Sequence, residues 1–146
     1  MDINQLTEFV TNHTLLVMAF VAILVMLVSG EIQQRISGVS EVGPADATRM
    51  LNHDNAIMVD MRDSKGYHDG HIVNALHVPA GDDDITVKLE KYRNRPLIVY
   101  CQRGQHSTTF CNKLSKQGFE SVYSLKGGVL GWQKAELPLS RDNQTT

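Results

Sequence analysis

Between residues 44 and 135, short apolar runs alternate with helix-like segments, and that alternation leaves few folds open. The runs are Ile57-Met58-Val59, Ala75-Leu76-His77-Val78, Leu97-Ile98-Val99-Tyr100 and Val122-Tyr123-Ser124-Leu125. Candidate helices around them are Pro44 to Asn52, Ser64 to Asp69, Asp84 to Tyr92, His106 to Gln117 and Val129 to Ala135. Pro44 suits a first helical position, and Asp82-Asp83-Asp84 suits N-capping of the next helix. The pattern predicts an α/β domain built on a parallel sheet, whose ligands bind beyond the carboxyl ends of the strands. Chemistry is therefore expected just after Val59 or Tyr100.

The N-terminal part has a different character. Every residue from Leu15 to Val28 is apolar, and no Asp, Glu, Lys or Arg occurs from Phe9 to Gly30. A helix over that second stretch would be about 30 Å long, enough to cross the hydrocarbon layer of a bilayer. The segment is apolar on all sides, so a transmembrane anchor is expected over residues 1–30, with a buried core helix or a cleaved signal peptide as competing readings. All 14 Lys and Arg residues lie beyond it, Arg35 and Arg49 closest, which predicts a single-pass cell-membrane protein with its domain on the cytoplasmic side. Residues 31–38 then read as a juxtamembrane connector, 39–139 as the folded domain, and the polar stretch 140–146 as a disordered tail.

A net charge of −2 with interspersed signs gives no basic field for nucleic acid, so no nucleic-acid partner is expected. Two cysteines, Cys101 and Cys111, do not make a disulfide scaffold and favour a reducing compartment. With neither a C-x-x-C pair nor an H-E-x-x-H group, no metal site is expected.

Directly after Leu97-Ile98-Val99-Tyr100 comes Cys101-Gln102-Arg103-Gly104-Gln105-His106-Ser107, which leads into a helix. A tight strand-to-helix loop with a glycine aims successive backbone N–H groups at one point, here Cys101 Sγ. Those donors, the helix N-terminus and the Arg103 charge are all expected to favour a thiolate. Gln102, Arg103, Gly104, Gln105, His106 and Ser107 thus form a candidate anion-binding loop around a nucleophilic Cys101.

This loop, Cys101-x-x-Gly104-x-x-Ser107, resembles the active-site loop of the rhodanese family, and three further segments agree with that family in order. Val59-Asp60-Met61-Arg62 is similar to its V-D-x-R segment, Gly70-His71-Ile72-x-x-Ala75-x-x-Val78-Pro79 to its G-H-I-x-x-A-x-x-x-P segment, and Lys126 to Trp132 to its G-G-x-x-x-W close. An anchor followed by one such domain is similar to a subgroup of bacterial membrane-bound members. The resemblance implies a five-stranded, mostly parallel sheet flanked by helices. It also implies double displacement, in which Cys101 takes sulfane sulfur from a small donor, holds it as a persulfide and passes it to a thiol, cyanide or protein acceptor. No metal or organic cofactor is then needed. Many thiosulfate-using members carry a second cation where His106 stands here, so thiosulfate is not fixed as the donor.

Asp60 and Arg62 support this site most simply as an ion pair that fixes neighbouring loops. His71 and His77 read as locally hydrogen-bonded, Cys111 as a small core residue and Trp132 as a packing anchor. A cysteine phosphatase would need an arginine six residues after Cys101 to clamp its anion, and Ser107 stands there instead. The alternative of a different class is a non-catalytic docking module for membrane protein partners.

Overall fold

A computed structural model describes residues 3–36 and 39–141 of the 146-residue chain. Residues 37 and 38 of the expected connector and 142–146 of the expected tail lie outside it. The chain divides into two compact units, Met1–Ser37 and Gly38–Thr146.

The first unit holds helices α1, Ile3–Asn12, and α2, Thr14–Ile36. The single straight helix expected from Phe9 onward is not formed, because α1 and the Thr14–Leu27 part of α2 meet at 93°. Thr14 Oγ1 donates to the carbonyls of Val10 and Thr11 at the break, the kind of hydroxyl back-bonding that bends helices. No single helix among the described residues is long and apolar enough to cross a membrane; the two pass that test only as a bent pair. Leu15, Leu16, Met18, Phe20, Ile23 and Leu27 are all exposed.

The second unit is built on five parallel strands: β1 (Ser40–Val42), β2 (Ile57–Asp60), β4 (Leu76–His77), β5 (Leu97–Tyr100) and β6 (Val122–Leu125). Their order across the sheet is β1-β6-β5-β2-β4. The helices are α3 (Pro44–His53), α4 (Ser64–Asp69), α5 (Ile85–Leu89, continued by a 3-10 turn to Tyr92), α6 (Ser107–Lys116) and α7 (Gly128–Lys134). Two-residue strands β3 (His71–Ile72) and β7 (Leu139–Ser140) pair antiparallel beside the main sheet. Ser140, placed by the sequence in a disordered tail, is thus tied to His71 by strand pairing.

Alternation along β5 sorts the core into two layers, as a sheet covered on both faces requires. Leu97, Val99 and Cys101 pack with Ile85 and Leu89 of α5 and with Phe110, Cys111 and Leu114 of α6. Ile98 and Tyr100 pack with Ala47 and Met50 of α3 and with Val129 and Trp132 of α7. The triple-aspartate run differs from expectation in detail: Asp84 sits at the N-cap of α5 without a side-chain cap bond. Asp82 instead accepts from the Asp84 amide and pairs with Lys88.

Candidate active site

The register of β2 against β5 creates the site. Asp60 lies beside Tyr100, so the two strands end together, and the loops that leave them must share the space above the sheet. After Tyr100 the chain leaves the sheet and turns through 101–106 into α6, and after Asp60 it passes Met61, Arg62 and Asp63 into α4.

Cys101 is 6% exposed, yet its sulfur faces polar groups. The Gly104 amide donates to Cys101 Sγ at 3.1 Å. Burial pushes the thiol's pKa up, but donation from the amides of His106, Ser107, Arg103 and Gly104 outweighs it and holds the thiol below its ordinary value. An anion at this position therefore has four main-chain donors converging on it.

Two glycines make that convergence possible. Gly104 has φ +88°, a left-handed turn that brings its amide back toward the sulfur three residues behind. Gly128, at φ +58°, lies so close that an added Cβ would stand 2.3 Å from Cys101 O, 2.8 Å from Gly104 N and 2.9 Å from Arg103 N. From the same segment the Val129 amide donates to Cys101 O at 3.0 Å and the Leu130 amide to Gln102 O at 3.2 Å. The loop is thus clamped from behind by the start of α7.

Inside the loop, Ser107 is fully buried, and its Oγ bonds to Gly104 O at 3.1 Å and to Ser124 Oγ at 2.6 Å. Since Ser107 gives its one proton to the carbonyl, Ser124 is the donor of the hydroxyl pair. Cys111, at 0% exposure, donates to Tyr123 O, and burial pushes its pKa up to about 12. It is a neutral core residue with the environment opposite to that of Cys101.

Asp60 and Arg62 form an ion pair, and Arg62 lines the cavity that Cys101 also lines. The fully buried Asp60 carboxylate accepts from Arg62 Nε at 3.0 Å and Nη2 at 2.7 Å, and from the Arg62 amide at 2.9 Å. Burial tends to lower the guanidinium's pKa, but the Asp60 contact holds it above the ordinary value. Arg62 also donates to Gly70 O at 2.7 Å and to Gln102 Oε1 at 3.2 Å, which ties three loops together. His77 Nε2 bonds to Arg62 O at 2.9 Å and His71 Nδ1 to Tyr67 O at 3.0 Å. Both rings stack on Tyr67, with centroids 4.4 and 3.9 Å away.

Cys101 opens into a cavity of about 590 Å³, whose walls include Met61, Ala80, Phe110, His106, Lys113, Arg62 and Gln102. Of the residues singled out from sequence, Arg103 behaves differently. Its amide faces the sulfur, but the residue lines a separate cavity with Lys126 and Lys134. Gln105 is exposed and is not among the residues lining the Cys101 cavity. Lys113, Phe110, Met61 and Ala80 carried no functional signal in the sequence, although 106, 109, 110 and 113 have the i, i+3, i+4, i+7 spacing of one helix face. Among the described residues no group of three His, Cys, Asp or Glu side chains comes together as a metal site.

This arrangement, a parallel sheet whose central strand ends in a cysteine ringed by amides, defines a class of cysteine-loop α/β domain. Residues 43–135 match the rhodanese-like domain family, and the chain belongs to that family. It is 31% identical over 140 residues to the uncharacterized protein YibN of Escherichia coli K12, covering 94% of this chain and 98% of that one. It is 35% identical over 101 residues to the thiosulfate sulfurtransferase GlpE of Glaesserella parasuis, covering 68% of this chain and 92% of GlpE. Among solved structures, the Alr3790 protein of Anabaena superposes with a TM-score of 0.63 at 25% identity, over 70% of this chain and 83% of that one.

Proposed function

We propose that this chain is a sulfurtransferase that carries sulfane sulfur as a persulfide on Cys101. The Cys101 thiolate attacks the donor's sulfane sulfur, a new S–S bond forms, and the donor leaves with the electron pair of the bond it loses. An acceptor thiolate then attacks the outer sulfur, and Cys101 leaves as a thiolate. The amide ring stabilises the anion at the start and end of the cycle, and the persulfide's terminal sulfur between them. The observation that carries this reading is the ring of loop amides that lowers the pKa of a nearly buried thiol at the mouth of a cavity. The rhodanese-like family and the GlpE relatives support a sulfurtransferase-type reaction.

The test is intact-mass spectrometry of the full chain after incubation with sulfane donors. The expected result is a gain of ~32 Da, one sulfur, absent in Cys101→Ser. A wild-type chain that takes up no sulfur from any donor would leave only the docking-module reading.

The proposal extends to location: the domain is tethered at the cytoplasmic face of the membrane through the N-terminal helices. Support comes from the exposed apolar side chains of α2 and from the absence of Lys or Arg before Arg35. Recovery of the protein in the alkaline-washed membrane fraction is expected, and recovery in the soluble fraction would refute the tether.

A further inference from the structure

The cavity above Cys101 is larger and less polar than an inorganic sulfur compound requires. At about 590 Å³ it falls in the range that holds organic ligands, and a donor or acceptor of a few heavy atoms would fill only a small part of it. Its walls are chemically divided. Met61, Ala80 and Phe110 supply apolar surface, and Lys113 supplies a cationic side chain.

Lys113 stands seven residues beyond His106 along α6, a rise of roughly 10 Å from an amide that touches the sulfur. Helical side chains lean toward the N-terminus, so the ammonium group can come back to within about 5 Å of the sulfur's end of the cavity. Lys113 is exposed and makes no ion pair or hydrogen bond among the described residues. The other charged groups on this cavity are engaged: Arg62 grips Asp60, and Asp63 Oδ1 accepts from the Gly66 amide at 2.9 Å as the N-cap of α4. His106 is the remaining titratable side chain on these walls.

We propose that Lys113 is a specificity residue that selects organic thiols carrying a carboxylate about 5–10 Å from the sulfur on an apolar stem. This inference rests on the sulfurtransferase reading of Cys101. In the transfer, R–S⁻ attacks the outer sulfur of the protonated Cys101 persulfide. The Sγ–S bond breaks, R–S–SH leaves with the proton, and Cys101 is restored as a thiolate with no external oxidant or reductant. Lys113 holds the carboxylate while the stem lies against Phe110 and Met61.

The experiment uses the full chain, preloaded with sulfur, and tracks loss of the sulfur adduct by mass. Three acceptors are compared at equal thiolate concentration: 6-mercaptohexanoate, which spans about 8 Å from sulfur to carboxylate, 6-mercaptohexanol and mercaptoacetate. Wild type is expected to react about fivefold faster with the long acid than with the long alcohol, equivalent to about 1 kcal/mol. Mercaptoacetate, too short to reach Lys113, should fall behind the long acid as well. The acid-to-alcohol ratio should fall to about one in Lys113→Gln, persist in Lys113→Arg and invert in Lys113→Glu. An unchanged ratio in Lys113→Gln would overturn the inference.

Protection of Cys101 from iodoacetamide by the unreactive 6-(methylthio)hexanoate is measured in parallel, because it needs no sulfur transfer. A half-protecting concentration about fivefold higher in Lys113→Gln supports the site even if the chain takes up no sulfur. Equal concentrations refute the site even if sulfur transfer proceeds.

Discussion

Replacing Gly128 by alanine tests whether the amide ring owes its shape to the clamp behind it. Two costs can be worked from the structure. The first is conformational: at φ +58° an alanine gives up roughly 1 kcal/mol relative to glycine. The second is steric. A Cβ 2.3 Å from Cys101 O is about 1 Å closer than ordinary contact, and Gly104 N and Arg103 N crowd the same point at 2.8 and 2.9 Å. All three atoms are main chain, so no side chain can swing aside, and overpacking of this kind costs about 2 kcal/mol. The sum is about 3 kcal/mol, or a fall in Tm of about 15 °C for a domain of this size. If the loop yields instead, the amides of Arg103 and Gly104 turn from the sulfur and the thiol loses donors. The assay pairs thermal unfolding with the pH dependence of Cys101 alkylation by iodoacetamide. Gly43→Ala is the control, since nothing lies within 4 Å of its added Cβ. A Gly128→Ala protein with both the wild-type Tm and the wild-type alkylation profile would refute the clamp.

Three further outcomes are expected. In wild type, the midpoint of Cys101 alkylation lies below that of the same cysteine in the urea-unfolded chain; a midpoint at or above it would show that burial, not the amide ring, decides the charge. Because the folded value is lowered, the thiolate's contribution to stability is present above the unfolded pKa and fades as pH falls through the folded one. Cys111 should resist alkylation in the folded protein over the same range, and its labelling at neutral pH would contradict its burial. Arg62→Met leaves the fully buried Asp60 carboxylate without its guanidinium and should cost about 3 kcal/mol in urea unfolding, whereas a loss under about 1 kcal/mol would mean the pair is dispensable to the fold.

Much of the second unit was legible because its signals are local. Continuous apolar runs mark the β2, β5 and β6 strands, and the step from Tyr100 through Gly104 to Ser107 marks the cysteine loop. The parts that were not legible depend on long-range contact. Ser40-Glu41-Val42 carries no apolar run and becomes a strand only because β6 offers it an edge. Leu139 and Ser140 become a strand only beside His71 and Ile72. Spacing alone shows that Lys113 and Phe110 share a helix face, but not that the face looks onto Cys101 rather than into solvent. The apolar run from Leu15 was legible as a helix, whereas the bend at His13 coincides with hydroxyl-to-carbonyl bonds from Thr14 that hydropathy does not register.

The site divides its labour between main chain and side chains. The charge on Cys101 is set by amides, which every loop residue except proline possesses, so it depends on loop shape and hence on Gly104, Gly128 and the buried Ser107–Ser124 pair. The loop's side chains are free of that duty: Gln102 meets Arg62, Arg103 lines a separate cavity with Lys126 and Lys134, and His106 lines the Cys101 cavity. Recognition of donor and acceptor can therefore change by substitution at 102, 106 or 113 while the loop amides stay in place. The glycine clamp should accordingly govern whether sulfur is taken up at all, and the cavity walls should govern only which compound supplies or receives it.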